Sequence, residues 1–370
     1  MLKLLINGRF LTRPMTGVDR TAEQVVRALS ALAATGDAMV AFELEIAVPA
    51  GAPTDEQIRS RLDLPVAIKI HRSRFSGYVW EQLVLSRLEP EATLLSLCNI
   101  GPVLRRKQLA MIHDAQIYDA PHSYSPAFRT TYRLLQPLLA RRANTVVTVS
   151  QHSRGRLQAH GLADERMIHV IYNGVDHICG LRSDAEVLGR LGLTPGEYLL
   201  ALCHPAKHKN IAMLVRACGR REDRQIPLVL AGQGHATVLD AGTAQSRDCI
   251  SVTARLTDNE LKALYESARL FLFPSLTEGF GFPLLEAMSC GCPVIATTGG
   301  ATPEIAGSAA VLCDPSDEAA WTRAVEALQF DTERLADLSE RGRAQAEQFT
   351  WRRTAQEVLA ILSRAAPAAA

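Results

Sequence analysis

The stretch FPSLTEGFGFPLLEAMSCGCPVIATTGGATPEIAG, Phe273 to Gly307, reads as a strand, a loop, a helix and a second strand. Pro283 suits a first helical turn and Gly291 a C-terminal stop. The glycine-rich loop Gly279-Phe280-Gly281-Phe282 feeds that helix, so backbone N–H groups there face the positive end of a helix dipole, a place that holds phosphate. Glu278 and Glu286 frame the loop. Glu286 is expected in the first helical turn, where a carboxylate accepts hydrogen bonds from the vicinal hydroxyls of a ribose, and Glu278 at the strand end, facing a cleft. A glycine-rich turn alone serves tight packing equally well. The two glutamates turn the reading toward a nucleotide diphosphate.

The same alternation extends outward from this stretch. Short runs of Leu, Val and Ile alternate with segments of helical period, the pattern of βαβ units and a parallel sheet. The first series of predicted strands is Leu2 to Asn7, Phe42 to Val48, Val66 to His71, Thr93 to Leu97, Leu109 to Ile112, Thr145 to Val149 and Met167 to Ile171. Behind the first of them, Val18, Ala22, Val25, Val26, Leu29, Leu32 and Ala33 share one apolar helical stripe. A polar stretch follows Tyr172-Asn173-Gly174-Val175-Asp176. A second series then opens at Tyr198 to Cys203 and continues through Leu228 to Ala231, Ile250 to Val252, Leu270 to Phe273, Val294 to Thr297 and Ala310 to Leu312. The pattern predicts an α/β chain of two doubly wound parallel-sheet domains, 1–177 and 178–350, with a helical tail and a frayed AAPAAA end.

Composition excludes several functions. The 370 residues carry 40 basic and 39 acidic side chains, which argues against a nucleic-acid binder driven by bulk charge. No apolar run approaches the roughly 18 residues of a membrane helix, and no signal-peptide layout opens the chain, so a cytoplasmic location is expected. Of eight scattered cysteines only Cys290 and Cys292 lie close together, at a spacing that fits neither a redox nor a zinc pair; they read as small buried hydrophobes. Charge divides unevenly: residues 1–176 hold 21 basic and 16 acidic groups, and the rest 19 and 23. Pro126 to Ala143 gathers Arg129, Arg133, Arg141 and Arg142 beside Leu134, Leu135, Leu138 and Leu139, with Pro137 interrupting. That segment reads as a solvated basic face, or as a contact for anionic lipid or a phosphorylated acceptor.

Further candidate residues sit where strands hand over to helices. Two of the six lysines, Lys207 and Lys209, fall in Cys203-His204-Pro205-Ala206-Lys207-His208-Lys209-Asn210 after the first strand of the second series, where a cation can neutralise a leaving diphosphate. Gly17, in Pro14-Met15-Thr16-Gly17-Val18-Asp19-Arg20, opens the first helix, with free amides expected there. His113 and Asp114 follow the strand Leu109 to Ile112, at the end of a parallel sheet where ligands bind. A lone histidine is more often structural than functional. No D-x-D sequence occurs, so the commonest carboxylate arrangement for a metal-bound nucleotide diphosphate is missing, and cationic side chains and helix termini must take the metal's place. Phosphate-loop, H-E-x-x-H and G-x-S-x-G motifs are also absent.

Taken together, TGVDR, IHD at Ile112 to Asp114, VSQHS at Val149 to Ser153, YNGVD, KHKN, AGQG at Ala231 to Gly234, LYESARLFLFPSLTEGFGFPLLEAM, PVIAT and PEIAG occur in an order that resembles glycosyltransferase family 4. The resemblance spans most of the chain. It implies a GT-B fold of two Rossmann-like domains facing a central cleft, and a retaining, metal-independent transfer from a nucleotide diphosphate sugar with no cofactor. By that resemblance Glu286 binds the donor ribose, Glu278 orients the transferred sugar, and Lys209 binds the diphosphate. The amides of Phe280, Gly281 and Phe282 cradle the diphosphate and sugar, Gly17 borders the phosphates from the other domain, and His113 contacts the sugar through its carbonyl or ring. The last helix, about 351–364, crosses back to the first domain. Where many relatives carry a phosphate-binding arginine, this chain has Cys203 and His204; Lys207 and His204 are the candidate substitutes.

The expected reaction moves a hexose to a sugar hydroxyl of a glycan or lipid-linked saccharide in polysaccharide assembly, with Asp114 and Arg20 as acceptor-side candidates. Peripheral contact with the inner membrane face follows from the basic segment. A nucleotide-sugar epimerase, a phosphorylase and a catalytically weak nucleotide-sugar binding subunit are the rival readings. The phosphorylase needs a pyridoxal lysine that the six lysines do not supply.

Overall fold

The structure is a computed structural model and describes residues 1–65, 67–162, 168–232, 250–252 and 256–365. The predicted strand starts at Val66 and Met167, Gln233 and Gly234 of the AGQG motif, and all but the first residue of the AAPAAA end lie outside the described residues.

The chain packs as two units, Met1–Gly174 together with the segment from Thr350 onward, and Val175–Phe349. The division falls after Gly174, three residues before the boundary expected from sequence, because Val175 N–H already donates to the Phe349 carbonyl (2.8 Å) inside the second unit.

The first unit holds a seven-stranded parallel sheet of β1 (Leu2–Asn7), β2 (Phe42–Val48), β3 (Lys69–Arg72), β4 (Thr93–Ser96), β5 (Gln108–Met111), β6 (Thr145–Thr148) and β7 (Ile168–Val170), in the order β3-β2-β1-β4-β5-β6-β7. Strands β4, β5 and β6 are buried along their whole length, as expected of parallel strands covered on both faces. The helix Gly17–Thr35 is started by Thr16 and Asp19 in a reciprocal capping box and stopped by Gly36 in the left-handed region. Its buried stripe is Ala22, Val25, Val26, Leu29 and Leu32; Ala33, expected there, is exposed. Helix Trp351–Ala365 packs against this helix and is tied to the unit by Thr354 Oγ1 donating to the Tyr172 carbonyl (2.8 Å). Pro137 does not interrupt the helix Pro126–Arg142. It removes one backbone donor beside the exposed Arg133, where water can take the freed carbonyl.

In the second unit, β8 (Leu199–Cys203), β9 (Leu228–Gly232), β10 (Ile250–Val252), β11 (Leu270–Phe273), β12 (Val294–Thr297) and β13 (Val311–Cys313) form a parallel sheet in the order β10-β9-β8-β11-β12-β13. Leu199, Leu228, Leu272 and Ile295 of its strands share a core with Leu214, Trp321 and Val325 of the helices. In each sheet the winding reverses once, between β1 and β4 and between β8 and β11. In open parallel sheets, ligands bind beyond the carboxyl ends of the strands at such a switch point.

Candidate active site

Lys209 and Glu278 meet at the switch point of the second sheet. The loop after β8 ends in a single 3-10 turn, Lys207–Lys209, and Asn210 follows with φ 57°. From that left-handed position the Asn210 side chain donates to the carbonyls of Pro274 (3.2 Å) and Pro315 (2.8 Å), and Leu276 N–H donates to the His208 carbonyl (2.7 Å). These bonds join the loop after β8 to the loop after β11. Lys209 Nζ then lies 2.6 Å from Glu278 Oε1, with the two side chains 26% and 10% exposed. Burial pushes the Glu278 carboxyl up, but the charge and hydrogen bond of Lys209, helped by Ser275 and His208, outweigh it and hold the group below its ordinary value. A fixed carboxylate and a fixed ammonium therefore stand side by side at the sheet edge.

Gly300 clamps the same loop from below. Its φ is 65°, and a Cβ there would sit 2.3 Å from the Glu278 amide nitrogen, while Ala301 N–H donates to the Glu278 carbonyl at 3.0 Å.

Glu286 is not in the first turn expected for it. The helix runs Phe282–Ser289, which makes Glu286 its fifth residue. Gly281, with φ 100°, is the N-cap, so the helix begins at Phe282, one residue ahead of Pro283, and Glu286 falls just past the first turn. The cap makes no side-chain hydrogen bond, and Pro283 lies in the opening turn. Glu286 is buried and accepts a hydrogen bond from His177 Nε2 at 3.2 Å. The His177 ring also stands edge-on to Phe282 at 6.1 Å. His177 was missed in the sequence; its one available signal was its place directly after the YNGVD motif. Ser275, the other missed residue, bonds Glu278.

A pocket of about 280 Å³ opens beside these groups, lined by Cys203, His204, Lys209, Gly232, Phe273 and Pro283 among others. His204 is exposed, and its Nδ1 accepts the Ala206 N–H (3.1 Å), which leaves Nε2 as the donor. Burial and then Lys209 lower its pKa, so it is neutral at pH 7. Lys207 is exposed. A larger cavity of about 870 Å³ lies at the amino ends of β1, β4, β5 and β6, beside Leu2, Thr93, Gln108 and Thr145. It is on the wrong edge of that sheet for a βαβ ligand site.

In the first unit, His113 is buried, and its ring Nε2–H donates to the Leu97 carbonyl (2.8 Å). Its backbone N–H goes to Asn99 Oδ1 (2.7 Å), and its carbonyl accepts the Thr148 hydroxyl (3.1 Å). Burial lowers its pKa to about 4, against the Leu97 carbonyl and Asp19, so the ring is neutral with Nδ1 as acceptor. Of the two contacts expected for it, the carbonyl already accepts one hydrogen bond, and the ring offers Nδ1 as an acceptor.

Gly17 opens the first helix inside a capping box, in which the Asp19 N–H donates to Thr16 Oγ1 and the Thr16 N–H to the Asp19 carboxylate, so a negative charge stands at this helix start. Arg13 covers that carboxylate, its Nη2 lying 2.6 Å from Asp19 Oδ1. Asp114 Oδ1 accepts the Gln116 N–H (2.9 Å), an Asx turn, and Arg20 is half-buried on the first helix.

Residues 86–177 match the model of Glycosyltransferase Family 4, and residues 197–331 that of Glycosyl transferases group 1. O-antigen chain mannosyltransferase B of Escherichia coli is 32% identical over 262 residues, covering 66% of this chain and 67% of that protein. This chain belongs to the family 4 glycosyltransferases. The MMP alpha-(1->4)-mannosyltransferase of Mycolicibacterium hassiacum is 28% identical over 74% of this chain and 68% of its own length. The serotype-specific mannosyltransferase WbdA of Escherichia coli is 29% identical over 58% of this chain, a match that spans 28% of WbdA. Among solved structures, Anabaena HepE in complex with UDP and glucose superposes with a TM-score of 0.73 at 18% identity, covering 98% of this chain and all of HepE. WaaG, a glycosyltransferase involved in lipopolysaccharide biosynthesis, gives 0.69 at 12% identity, covering 98% of this chain and all of WaaG. The fold of this glycosyltransferase is therefore of the GT-B type, with two parallel-sheet domains. Among the described residues no helix is long and apolar enough to cross a membrane.

Proposed function

We propose that this glycosyltransferase moves a mannosyl unit from a nucleotide diphosphate sugar to a hydroxyl of a glycan or lipid-linked saccharide, with retention at the anomeric carbon and without a divalent metal. The observation that carries this reading is the Lys209–Glu278 pair at the carboxyl edge of β8 and β11, with Glu286 buried one turn into the following helix. Mannose is favoured because several of the relatives are mannosyltransferases.

Each residue has a task in this account. Glu286, positioned by His177, accepts hydrogen bonds from the ribose hydroxyls. Lys209 approaches the diphosphate and offsets charge on the leaving group, with Lys207 and the Nε2–H of His204 as supplementary donors. Glu278 accepts from the sugar hydroxyls and orients the anomeric carbon. The neutral His113 ring accepts from a sugar hydroxyl through Nδ1. No protein nucleophile is required: the acceptor hydroxyl attacks on the face from which the phosphate departs, the anomeric C–O bond breaks through an oxocarbenium-like state, and the departing phosphate takes the acceptor proton. Catalysis then rests on positioning and charge stabilisation. A cation at Lys209 supplies what a metal supplies in D-x-D enzymes, so turnover is expected to persist in EDTA.

Steady-state kinetics of Glu286→Ala and Glu278→Ala test the assignment. Glu286→Ala is expected to raise the donor KM about tenfold or more, and Glu278→Ala to lower kcat by roughly 100-fold at a similar donor KM. Unchanged transfer in both variants contradicts it. Leu134 and Leu138 are exposed on the helix that also exposes Arg133 and Arg141, so this face is proposed to touch anionic lipid near a lipid-linked acceptor. Co-sedimentation with anionic vesicles that weakens with salt is expected; equal binding to neutral vesicles contradicts it.

A further inference from the structure

The switch point of the first sheet carries a cluster of side chains that the donor reading does not use. Beyond the carboxyl end of β1, Arg9 and Arg13 project from the 3-10 turn Gly8–Thr12 and the loop after it. Arg9 Nη1 lies 2.6 Å from Glu81 Oε2, whose side chain is 1% exposed, and Arg13 holds the equally buried Asp19. Asn7 Nδ2 takes the other Glu81 oxygen at 2.9 Å. The Arg9 guanidinium lies over the Tyr78 ring, 4.4 Å from its centre. On the helix Pro126–Arg142, Tyr132 stacks on Phe128 at 4.1 Å, and Phe128 on Tyr124 at 5.5 Å. The Tyr132 hydroxyl lies within electrostatic reach of Arg13, Tyr78 and Arg9, which joins this ladder to the arginines, and Arg13 in turn reaches His113.

The charges of this cluster cancel, since each guanidinium is matched by a buried carboxylate and His113 is neutral. A phosphate or carboxylate would have to compete there with Glu81 and Asp19, each 1% exposed and held also by Asn7 and by the Thr16 amide. What remains is a set of guanidinium N–H groups held in place by their carboxylates beside partly exposed rings, with Tyr78 39% and Phe128 38% exposed. Directional donors flanking apolar ring surface suit a hexopyranose, which has hydroxyls at its rim and C–H groups on its faces.

We infer that Arg9, Arg13, Tyr78 and the Tyr124–Phe128–Tyr132 ladder form the acceptor site, and that the acceptor segment it takes is an uncharged saccharide. The inference rests on the transferase reading above and adds the acceptor's class and the residues that select it. Any anionic lipid carrier is then read elsewhere, not by these arginines.

Saturation-transfer NMR on the full chain without donor, with methyl α-mannobioside and mannose 6-phosphate as probes, tests this directly. The neutral disaccharide is expected to bind, and Tyr78→Ala and Phe128→Ala each to weaken it about tenfold, as loss of one ring platform implies. Mannose 6-phosphate is expected to bind no better than mannose. Arg13→Lys keeps a charge on Asp19 but loses the planar fork, and is expected to raise the acceptor KM with the donor KM unchanged. Disaccharide binding that is absent, or equal in the Tyr78 and Phe128 variants, overturns the inference, as does tighter binding of the phosphorylated sugar. Nucleotide-sugar binding to the same variants is read in parallel: its absence from the parent chain removes the transferase reading, whereas its persistence with unaffected acceptor binding removes only this inference.

Discussion

Lys209 without Glu278 is a lysine in a loop, and Glu278 without Lys209 is a buried carboxylate with no counter-charge. Lys209→Ala is therefore expected to destabilise the second unit by about 2 kcal/mol, the scale of a lost charge-assisted hydrogen bond to a buried group, and to abolish most transfer; a thermal melt with a parallel assay checks both. Lys209→Met with Glu278→Gln should restore stability but not activity. His113 makes a prediction of opposite kind. Its folded pKa of about 4 lies below the ordinary histidine value, so its contribution is complete above about pH 6.5 and is lost as pH falls from there toward 4, by on the order of 3 kcal/mol. A pH series of denaturant melts should show that slope in the parent and a flatter one in His113→Gln. Glu278, Glu286 and Lys209 were legible in the sequence because glycines and proline mark their loop and few lysines compete for the phosphate role. Their pairing was not legible, since it depends on Asn210 and Leu276 joining two loops 64 or more residues apart. His177 was not legible either: nothing local says that a histidine 109 positions earlier reaches Glu286.

At the level of elements, apolar runs predicted nearly every strand to within a residue or two at either end, since parallel strands buried on both faces leave unmistakable blocks such as Leu270–Phe273. β3 was less clear because it is an edge strand with charged ends, Lys69 and Arg72. The helix Phe282–Ser289 was placed correctly but phased wrongly, because a left-handed glycine at its cap cannot be told from a glycine one residue into a loop. Pro137 misled for a related reason: whether a proline breaks a helix depends on what can reach the freed carbonyl. The clamp under Glu278 gives the prediction at this scale. Gly300→Ala forces a Cβ into the Glu278 backbone at a φ that disfavours it, and should cost roughly 1–3 kcal/mol while lowering kcat more than a surface change of equal cost; comparison of kcat with melting temperature decides it.

For the whole molecule, the first unit is built from two stretches of chain that the second unit separates. Trp351, Ala355, Val358, Leu359 and Leu362 of the terminal helix are all buried. At about 1.5–3 kcal/mol for each of the four large apolar side chains among them, their removal is comparable to the whole margin of an ordinary domain. Ending the chain at Phe349 is thus expected to unfold the first unit while Val175–Phe349 still melts cooperatively, which calorimetry would resolve as the loss of one transition. The central claim, that the second unit binds a nucleotide sugar through Glu286, Glu278 and Lys209 without metal, is tested most directly by titration calorimetry. UDP-, GDP-, ADP- and dTDP-sugars would be titrated into the full chain in EDTA, and the best of them into Glu286→Ala and Lys209→Ala. The account predicts micromolar binding of one nucleotide class, insensitive to EDTA and weakened about tenfold or more in both variants. Binding that appears only when a divalent cation is added, or that both variants retain in full, would contradict it.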